Sequence, residues 1–399
     1  MAETVNEDIL DAMVRHQTYL LRYSAFVRNR ITELLNATEE DLAEKILGKL
    51  PGNPQLKTSE EWKRLERLKA QLTVIRMGAW EEARKFLEAE MVSLAISEPV
   101  FLNNTITGAA PVVLQTVMPT ERMMRAVALS RPFEGRVMKQ WAQKMASDDI
   151  TLIHSAIQRG MVQGETNHAI ARRVVGTQAF QGTDGVTQTT RRQVMAVVRT
   201  AVMHVSHSAR NEFIKDNSDI ITSEQFTATL DSRTTLVCAG NDGKIFPVGK
   251  GPQPPLHYQC RSLRVPALDP ELMGERPARP HTDRQLLREF SEEQGFKPVL
   301  KRDGLPRGMK GKYDAYAAQR KRELIGRVPA TRSYQDWMTK QSTEFQNDTL
   351  GRTRATLFRK GDLTLDKFTD RAGNELSLSQ LAKREAGAFR AAGLDPKDY

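Results

Sequence analysis

Side chains that can bind a metal ion lie close together in one short stretch of the chain. Both cysteines of the 399-residue sequence, Cys238 and Cys260, fall within residues 226–262, and His257 precedes Cys260 by three positions. Structural zinc takes four nitrogen or sulfur ligands in a tetrahedron, and an H-x-x-C pair has the close spacing that such sites use. The pattern therefore indicates a candidate zinc site with Cys238, His257 and Cys260 as three ligands.

The spacing alone does not supply the fourth ligand. Asp231, Asp242 or His207 would have to provide it. His207 follows His204 by three positions on a predicted helix, where both histidines are expected at the surface. The alternative is that both cysteines are small buried hydrophobic residues and that His257 is a hydrogen-bonded loop histidine. Both interpretations stay open at this point.

The elements around these residues predict how they would meet. Apolar and polar residues alternate over 226–231, which is typical of a half-buried strand. Residues 239–243 combine two glycines with Asn and Asp and predict a tight turn, after which 244–248 would return as the second strand of a hairpin. Glycines and prolines over 249–255 then predict a rigid loop leading to His257 and Cys260. Such a hairpin would fold Cys238 back over the loop.

The same stretch resembles the signature of the phage Mu protein F-like family, over roughly residues 150–265. The family pattern reads D-x-R-T-C-x-x-C-x-x-x-D-G, then a variable loop, then P-P-x-H-x-x-C-R-C. Thr235 and Ser262 stand where the family has its first and last cysteine. The residues that match the pattern are Asp231, Arg233, Cys238, Asp242, Gly243, His257, Cys260 and Arg261.

This family comprises minor head, or head morphogenesis, proteins of tailed bacteriophages. The resemblance implies a structural component of capsid assembly that is bound near the portal and retained in the virion. The partners it implies are the portal protein, the major capsid protein or both, with the host cytoplasm as the place of assembly. A second match, to the tails of head morphogenesis proteins, uses Tyr334, Trp337, Leu350, Gly351, Arg354, Leu365 and Phe368.

Most of the chain has helical periodicity, which predicts a predominantly α-helical α+β fold. Four regions follow from the changes in pattern. They are an N-terminal helical region over 1–110, the Mu F-like domain over 111–266, a basic proline-rich linker or arm over 267–330, and a helical tail over 331–399.

Several helix boundaries are predicted. In the first region, one helical pattern covers 6–49 and another runs from Ser59 to Ala95, and residues 97–119 are expected to form a loop-like joint. The capping box Ser377-x-x-Gln380 begins the last helix of the tail.

The Mu F-like region carries its own capping signals. Two consecutive helices are predicted between residues 135 and 160, the second capped by Asp148 or Asp149. Thr166 is expected to cap a short helix that ends at Gly176. An apolar face over 190–216 predicts a core helix that leads into the hairpin.

The basic residues favour a polyanionic neighbour. The formal net charge is +10, and lysine and arginine are frequent over 301–327, so this segment could lie as an extended arm along another protein or along double-stranded DNA. A solvated linker is the alternative interpretation. The candidate contact residues are Lys301, Arg302, Lys310, Lys312, Arg320, Lys321 and Arg322.

Three function classes follow. A minor head protein is the first, and a DNA-binding or ejection protein that contacts the packaged genome is the alternative. A zinc-dependent or nucleotide-transferring enzyme is the third, but the sequence contains no glycine-rich phosphate loop, G-x-S-x-G or H-E-x-x-H motif, so no catalysis is expected. The acidic first residues do not resemble a signal peptide, and no apolar run is long enough to cross a membrane. Zinc is the one candidate cofactor.

Overall fold

A computed structural model describes residues 5–110, 113–177, 184–268, 275–329, 332–370 and 373–399. The predicted, predominantly helical α+β fold is confirmed. The helices are α1 Val5–Asn36, α2 Glu39–Lys49, α3 Ser59–Ala109, α4 Glu121–Ser130, α5 Met138–Val162, α6 Asn167–Val175, α7 Thr187–Asp216, α8 Leu236–Asn241, α9 Asp283–Glu293, α10 Met309–Glu323, α11 Tyr334–Thr339, α12 Thr343–Leu350, α13 Arg352–Lys360, α14 Leu378–Arg384 and α15 Ala386–Ala391. The strands are β1 Ser223–Thr227, β2 Ile245–Pro247, β3 Leu263–Ala267, β4 Glu275–Ala278 and β5 Gly326–Pro329.

The longest helices pack together as a helical body, formed by α1, α3, α4, α5 and α7. Its core joins apolar residues from both sides of position 110, among them Leu87 on α3 and Val198 on α7. One hydrophobic core therefore spans the boundary between the first two predicted regions. Whether these regions are separate domains stays a prediction.

Helix α3 continues well beyond its predicted end at Ala95. It begins with a capping box in which Thr58 accepts from Glu61, close to the predicted start, but it then runs through Pro99 to Ala109. The predicted joint over 97–119 is wrong for the residues up to 109. A proline inside a helix costs about 3 kcal/mol, and here the buried Pro99, Leu102 and Ile106 continue the packed face of the helix. Tertiary packing offsets the lost backbone hydrogen bond.

Helix α5 is a single helix, so the predicted break near Asp148 and Asp149 is wrong. Asp149 is buried in the middle of α5, where it accepts hydrogen bonds from Arg76 and Trp80 on α3 and from Thr190 on α7. The residue that looked like a helix cap is thus a buried anion that ties three helices together. The neighbouring short helix α6 begins and ends as predicted, with Thr166 as its N-cap and Gly176 after its last residue.

A three-stranded antiparallel sheet in the order β2-β1-β3 adjoins α7. The predicted hairpin is present, but its first strand is shifted towards the N-terminus. Strand β1 overlaps the predicted strand over 226–231 only at Phe226 and Thr227, and Gln225 on β1 lies opposite Ile245 on β2. The connection between these strands differs from the prediction, since residues 236–241 form α8 instead of part of a tight turn. Strand β3, which pairs along the whole of β1, was not predicted.

The basic region after the sheet is folded over its described residues. Residues expected to form an extended arm or a solvated linker instead form α9 and α10, which share a small core around Phe290 and Tyr313. Strands β4 and β5 pair at the two ends of this unit. Residues 269–274 and 330 of the predicted arm lie outside the described part of the chain.

The tail, α11–α15, encloses another core that includes Tyr334, Trp337 and Phe345. The predicted capping box is present, with Ser377 and Gln380 bonding each other's backbone N–H. A 3-10 turn over Leu365–Phe368 packs against α8. A side chain at Gly240 would come within 3.1 Å of the Asp366 backbone, so glycine permits this close contact. The tail therefore supports the helix that carries Cys238.

Candidate functional site

Helix α8 places Cys238 in the interior of the molecule. Thr235 is the residue before the first turn of this helix, and Cys238 is buried on the inner side. A threonine at this position normally accepts a hydrogen bond from a backbone N–H of the first turn. Thr235 caps no backbone N–H. Its hydroxyl is instead 2.9 Å from Nε2 of His257.

A tight turn before β3 holds His257 and Cys260. The Cys260 N–H donates to the His257 carbonyl at 3.1 Å. Gln259 lies in the left-handed region with φ of 60°, and its N–H donates to the Thr200 hydroxyl on α7 at 3.2 Å. The turn is thus fixed to the helical body at its midpoint.

The structure brings Cys238, His257 and Cys260 together. Their ligand atoms all lie within 4.8 Å of one another. The Cys238 sulfur is 3.4 Å from Nε2 of His257 and 3.7 Å from the Cys260 sulfur. Both cysteines are free thiols. We call these three residues the Cys–His cluster.

The charge in the Cys–His cluster is concentrated on one sulfur. A hydrogen bond from Cys238 lowers the pKa of Cys260, with a further contribution from His257 and against the opposing effect of burial. The same hydrogen bond and burial raise the pKa of Cys238. Burial lowers the pKa of His257, but its hydrogen bond to Cys260 raises it overall. Cys260 therefore has thiolate character, which is the form that binds metals.

None of the predicted fourth ligands joins the Cys–His cluster. In the part of the chain that the structure describes, the grouped metal-ligand side chains are Cys238, His257 and Cys260 alone. Asp231 forms two hydrogen bonds with the Arg261 guanidinium, each 2.7 Å long. Asp242 accepts from the backbone N–H of Ala228 at 2.6 Å.

The histidines of α7 are not at the surface, contrary to the prediction. His207 is 2% exposed, and its Nε2 donates to the Ser262 carbonyl at 3.2 Å. His204 is partly buried beside Phe133, with ring centroids 5.5 Å apart. Burial lowers the pKa of His204 to about 4 and lowers the pKa of His207 well below its usual value. Both are neutral packing residues at physiological pH.

Asp231 connects the hairpin to the tail. Burial raises its pKa, but the hydrogen bonds and charge of Arg261 lower it below the usual range. Its carboxylate also accepts from the Arg233 N–H at 3.0 Å, and its backbone carbonyl accepts from the Tyr334 hydroxyl at 3.0 Å. The Arg233 side chain is 3.5 Å from the carboxylate and mostly exposed.

The Asp242–Gly243 pair closes the return to β2. Gly243 has a φ of 79°, a conformation that favours glycine. Its N–H donates to the Phe226 carbonyl at 2.8 Å. Together with the bond from Ala228 to Asp242, this contact fixes the start of β2 against β1.

The basic residues proposed as DNA or partner contacts divide into two groups. Ion pairs within the chain engage Arg302 with Asp314, Lys310 with Asp303, Arg320 with Glu323, and Lys321 with Asp283. Among the described residues, no ion pair is found for Lys301, Lys312 or Arg322. Of the seven candidates, these three have a charge that no acidic side chain of the described residues neutralises.

Sequence reasoning overlooked Thr235 and Ser262 as members of the site. The Thr235 hydroxyl is 2.9 Å from Nε2 of His257, and the hydroxyls of Thr235 and Ser262 both lower the pKa of Cys238 against the larger effects that raise it. The signal was present, because these are the two positions where the family pattern has cysteine. The structure places the Thr235 side chain against His257, and Ser262 is buried two residues after Cys260.

Comparison with known proteins matches residues 151–264 to the family model described as phage Mu protein F like protein. This segment is Mu F-like. It runs from α5 to β3 and contains the whole Cys–His cluster, although it covers less than a third of the chain. The family indicates a phage head morphogenesis protein, and with it a location in the virion. No curated protein and no solved structure gave a significant match.

Among the described residues, no helix combines the length and the apolar character that spanning a bilayer requires.

Proposed function

We propose that the protein is a minor head protein of a tailed bacteriophage. It would act as a structural component of capsid assembly, associate with the portal protein, with the major capsid protein as a further neighbour, and stay in the capsid interior or portal region of the virion. The observation that carries this proposal is the Mu F-like match over residues 151–264.

The chemistry of the matched residues supports a structural role and not a catalytic one. Asp231 is held by Arg261, and Asp242 by a backbone N–H. A thiolate beside an imidazole is the pair that cysteine nucleophiles use, but Cys260 is only 1% exposed. A substrate would need to reach that sulfur through packed side chains, so we propose that the Mu F-like residues hold loops in place.

Ion pairing also bears on the choice between a protein partner and DNA. Binding to duplex DNA depends on many phosphate contacts and weakens steeply with salt. Four of the seven candidate basic residues have an acidic neighbour in the chain. Such neighbours reduce the positive potential of this surface, which favours a protein partner.

Co-purification with the portal protein of the same phage tests the proposal. We expect the complex to survive high salt, because contacts between apolar surfaces are not screened by ions. The charge-reversed variant Lys301→Glu/Lys312→Glu/Arg322→Glu is expected to bind the portal protein like the unmodified chain. Absence of a portal complex, together with salt-sensitive duplex binding that this variant loses, would replace the proposal with the genome-binding alternative.

A further inference from the structure

We propose that Cys238, His257 and Cys260 bind one zinc ion whose fourth coordination position faces the Thr235 hydroxyl. The inference goes beyond the proposed function and is independent of it, since a head protein could use or lack such a site. It rests on the distances, the donor types and the orientation of the imidazole.

The distances within the Cys–His cluster agree with tetrahedral zinc. With Zn–S bonds of about 2.3 Å and Zn–N bonds of about 2.0 Å, two sulfur ligands lie about 3.8 Å apart, and sulfur and nitrogen about 3.5 Å apart. The observed Cys238–Cys260 separation is 3.7 Å and the Cys238–His257 separation is 3.4 Å. Two of the three donor pairs therefore already have the spacing that a shared zinc ion imposes, and the third pair, His257 and Cys260, lies within 4.8 Å.

The His257 ring is oriented as a zinc ligand would be. Its Nδ1 lies 2.8 Å from the Tyr258 carbonyl, which can only accept, so Nδ1 carries a hydrogen. In the neutral ring this leaves the Nε2 lone pair directed at Thr235 and Cys238. A metal-binding histidine commonly donates its other N–H to a backbone carbonyl, which fixes the tautomer.

Thr235 occupies the remaining side of the Cys–His cluster. Its hydroxyl is 2.9 Å from Nε2 of His257, near the separation of about 3.3 Å expected for oxygen and nitrogen ligands of tetrahedral zinc. Thr235 and Cys238 also have the x-x spacing of a zinc-binding pair, like His257 and Cys260. The substitution Thr235→Cys would supply a third thiolate and complete a Cys₃His ligand set, a common set in structural zinc sites.

Zinc at this position would join α8 to the turn before β3. These two segments are 22 residues apart at Cys238 and Cys260, and they contact different parts of the molecule, the tail and α7. A bound ion would therefore link the tail, which contacts α8, to the helical body, which contacts the turn before β3. Its role would be structural, because the cysteines are buried.

The first experiment measures zinc binding to the reduced full-length chain. Zinc chloride is titrated against a competing chelator, and cobalt(II) serves as a second probe because its thiolate complexes absorb in the near ultraviolet. We expect one zinc per chain and a thiolate-to-cobalt absorption band. Cys238→Ser, Cys260→Ser and His257→Ala should each abolish stoichiometric binding, and circular dichroism on each variant shows whether the fold persists.

The second experiment uses a gain of affinity, which a merely misfolded variant cannot produce. Thr235→Cys is expected to tighten zinc binding by about tenfold or more, since even neighbours outside the ligand shell change metal affinity by about 10–100-fold. The matched control Thr151→Cys adds an exposed thiol on α5 and should leave the affinity unchanged.

Two results would overturn the proposal. One is zinc uptake by the unmodified chain that equals that of a Cys238→Ser/Cys260→Ser double variant. The other is a Thr235→Cys variant that binds zinc no more tightly than the Thr151→Cys control. Either result would mean that the cysteines are buried thiols that hydrogen-bond to each other. The expected outcome of the portal co-purification would stay the same.

Discussion

Two buried polar groups in this molecule, Asp149 and the Cys–His cluster, differ in the strength of the hydrogen bonds that satisfy them. Around Asp149, Arg76 and Trp80 donate to one carboxylate oxygen and Thr190 to the other. Arg76 also donates to the Leu35 carbonyl at 2.7 Å. The Cys–His cluster is held internally by sulfur contacts, which are weak hydrogen bonds.

The difference distinguishes a structural group from a ligand site. A buried charge that is fully matched by its own chain contributes to a unique packing and has no strong bond left to offer. Soft donors that are matched only by weak bonds can still exchange these for bonds to a metal ion. Substitutions in each group test this distinction.

Removing the carboxylate of Asp149 should be the most damaging change. Asp149→Ala leaves the Arg76 guanidinium buried without its anion, so we expect a loss of about 3–5 kcal/mol in the free energy of unfolding. Urea denaturation measures it. Asp148→Ala is the matched control, because its ion pair with Lys144 is at the surface and is expected to contribute about 1 kcal/mol or less.

A double substitution sharpens this prediction. Arg76→Met/Asp149→Leu replaces the ion pair by apolar side chains, and such exchanges are often close to neutral. It should therefore be more stable than Asp149→Ala. A double variant that is as unstable as the single one would show that the remaining hydrogen bonds, and not the charge pair, carry the stability.

Zinc should stabilise the chain through the Cys–His cluster. At a free zinc concentration of 100 times Kd, binding to the folded state contributes about 2.7 kcal/mol. We expect unfolding in zinc to require correspondingly more urea, and a chelator to reverse the shift. Equal stabilisation of Cys260→Ser would contradict the assignment, because that variant lacks one ligand.

Buried neutral histidine should make stability depend on pH. Because burial lowers the pKa of His207, the unfolded chain binds a proton near pH 6.5 that the folded chain does not. The contribution of His207 to stability is therefore complete above pH 6.5 and falls on acidification by about 1.4 kcal/mol per pH unit. Burial also lowers the pKa of His204, so that residue adds to the fall.

Unfolding measured between pH 7 and pH 5 tests this dependence. His207→Gln should make the dependence less steep and leave the part that His204 contributes, since an amide can still donate to the Ser262 carbonyl and does not titrate. The exposed His168 on α6 provides the control, His168→Gln, which should leave the pH dependence as it was. An unchanged slope in His207→Gln would mean that other groups cause the dependence.

The smallest effect is expected at the surface of α10. Lys321 pairs with Asp283 at 2.6 Å between partly exposed side chains, so Lys321→Ala should cost less than about 1 kcal/mol. Salt should reduce even that difference. Lys312→Ala, at an exposed position of the same helix, should change stability no more than Lys321→Ala does. If Lys321→Ala lost as much free energy of unfolding as Asp149→Ala, buried and exposed ion pairs would not differ in their contribution to stability.

Local signals in the sequence predicted individual elements well. Thr166, Gly176 and the Ser377-x-x-Gln380 box act within one or two turns of backbone, so their effect is readable from neighbouring residues. The Mu F-like signature was readable for another reason, because its residue types and spacings can be compared directly with the family pattern.

Long-range packing decided the elements that the sequence missed. Pro99 lies inside α3 because the packed face of the helix continues through Leu102 to Ile106, and Asp149 lies inside α5 because Arg76 on another helix balances its charge. Neither partner is near in the sequence. The folding of α9 and α10 likewise depends on Phe290 meeting Tyr313, a contact that a basic, proline-rich composition conceals.

The helical character, the presence of a hairpin and the family resemblance could all be predicted from the amino-acid sequence, since each depends on periodicity or on residues close along the chain. Only the tertiary structure decided which side chains surround Cys238. Asp231 hydrogen-bonds to Arg261, and Asp242 accepts from the backbone N–H of Ala228. The fold places the Thr235 hydroxyl beside His257, which lies 22 residues later in the chain. A ligand set is defined by directions in space, and spacing along a chain does not specify them.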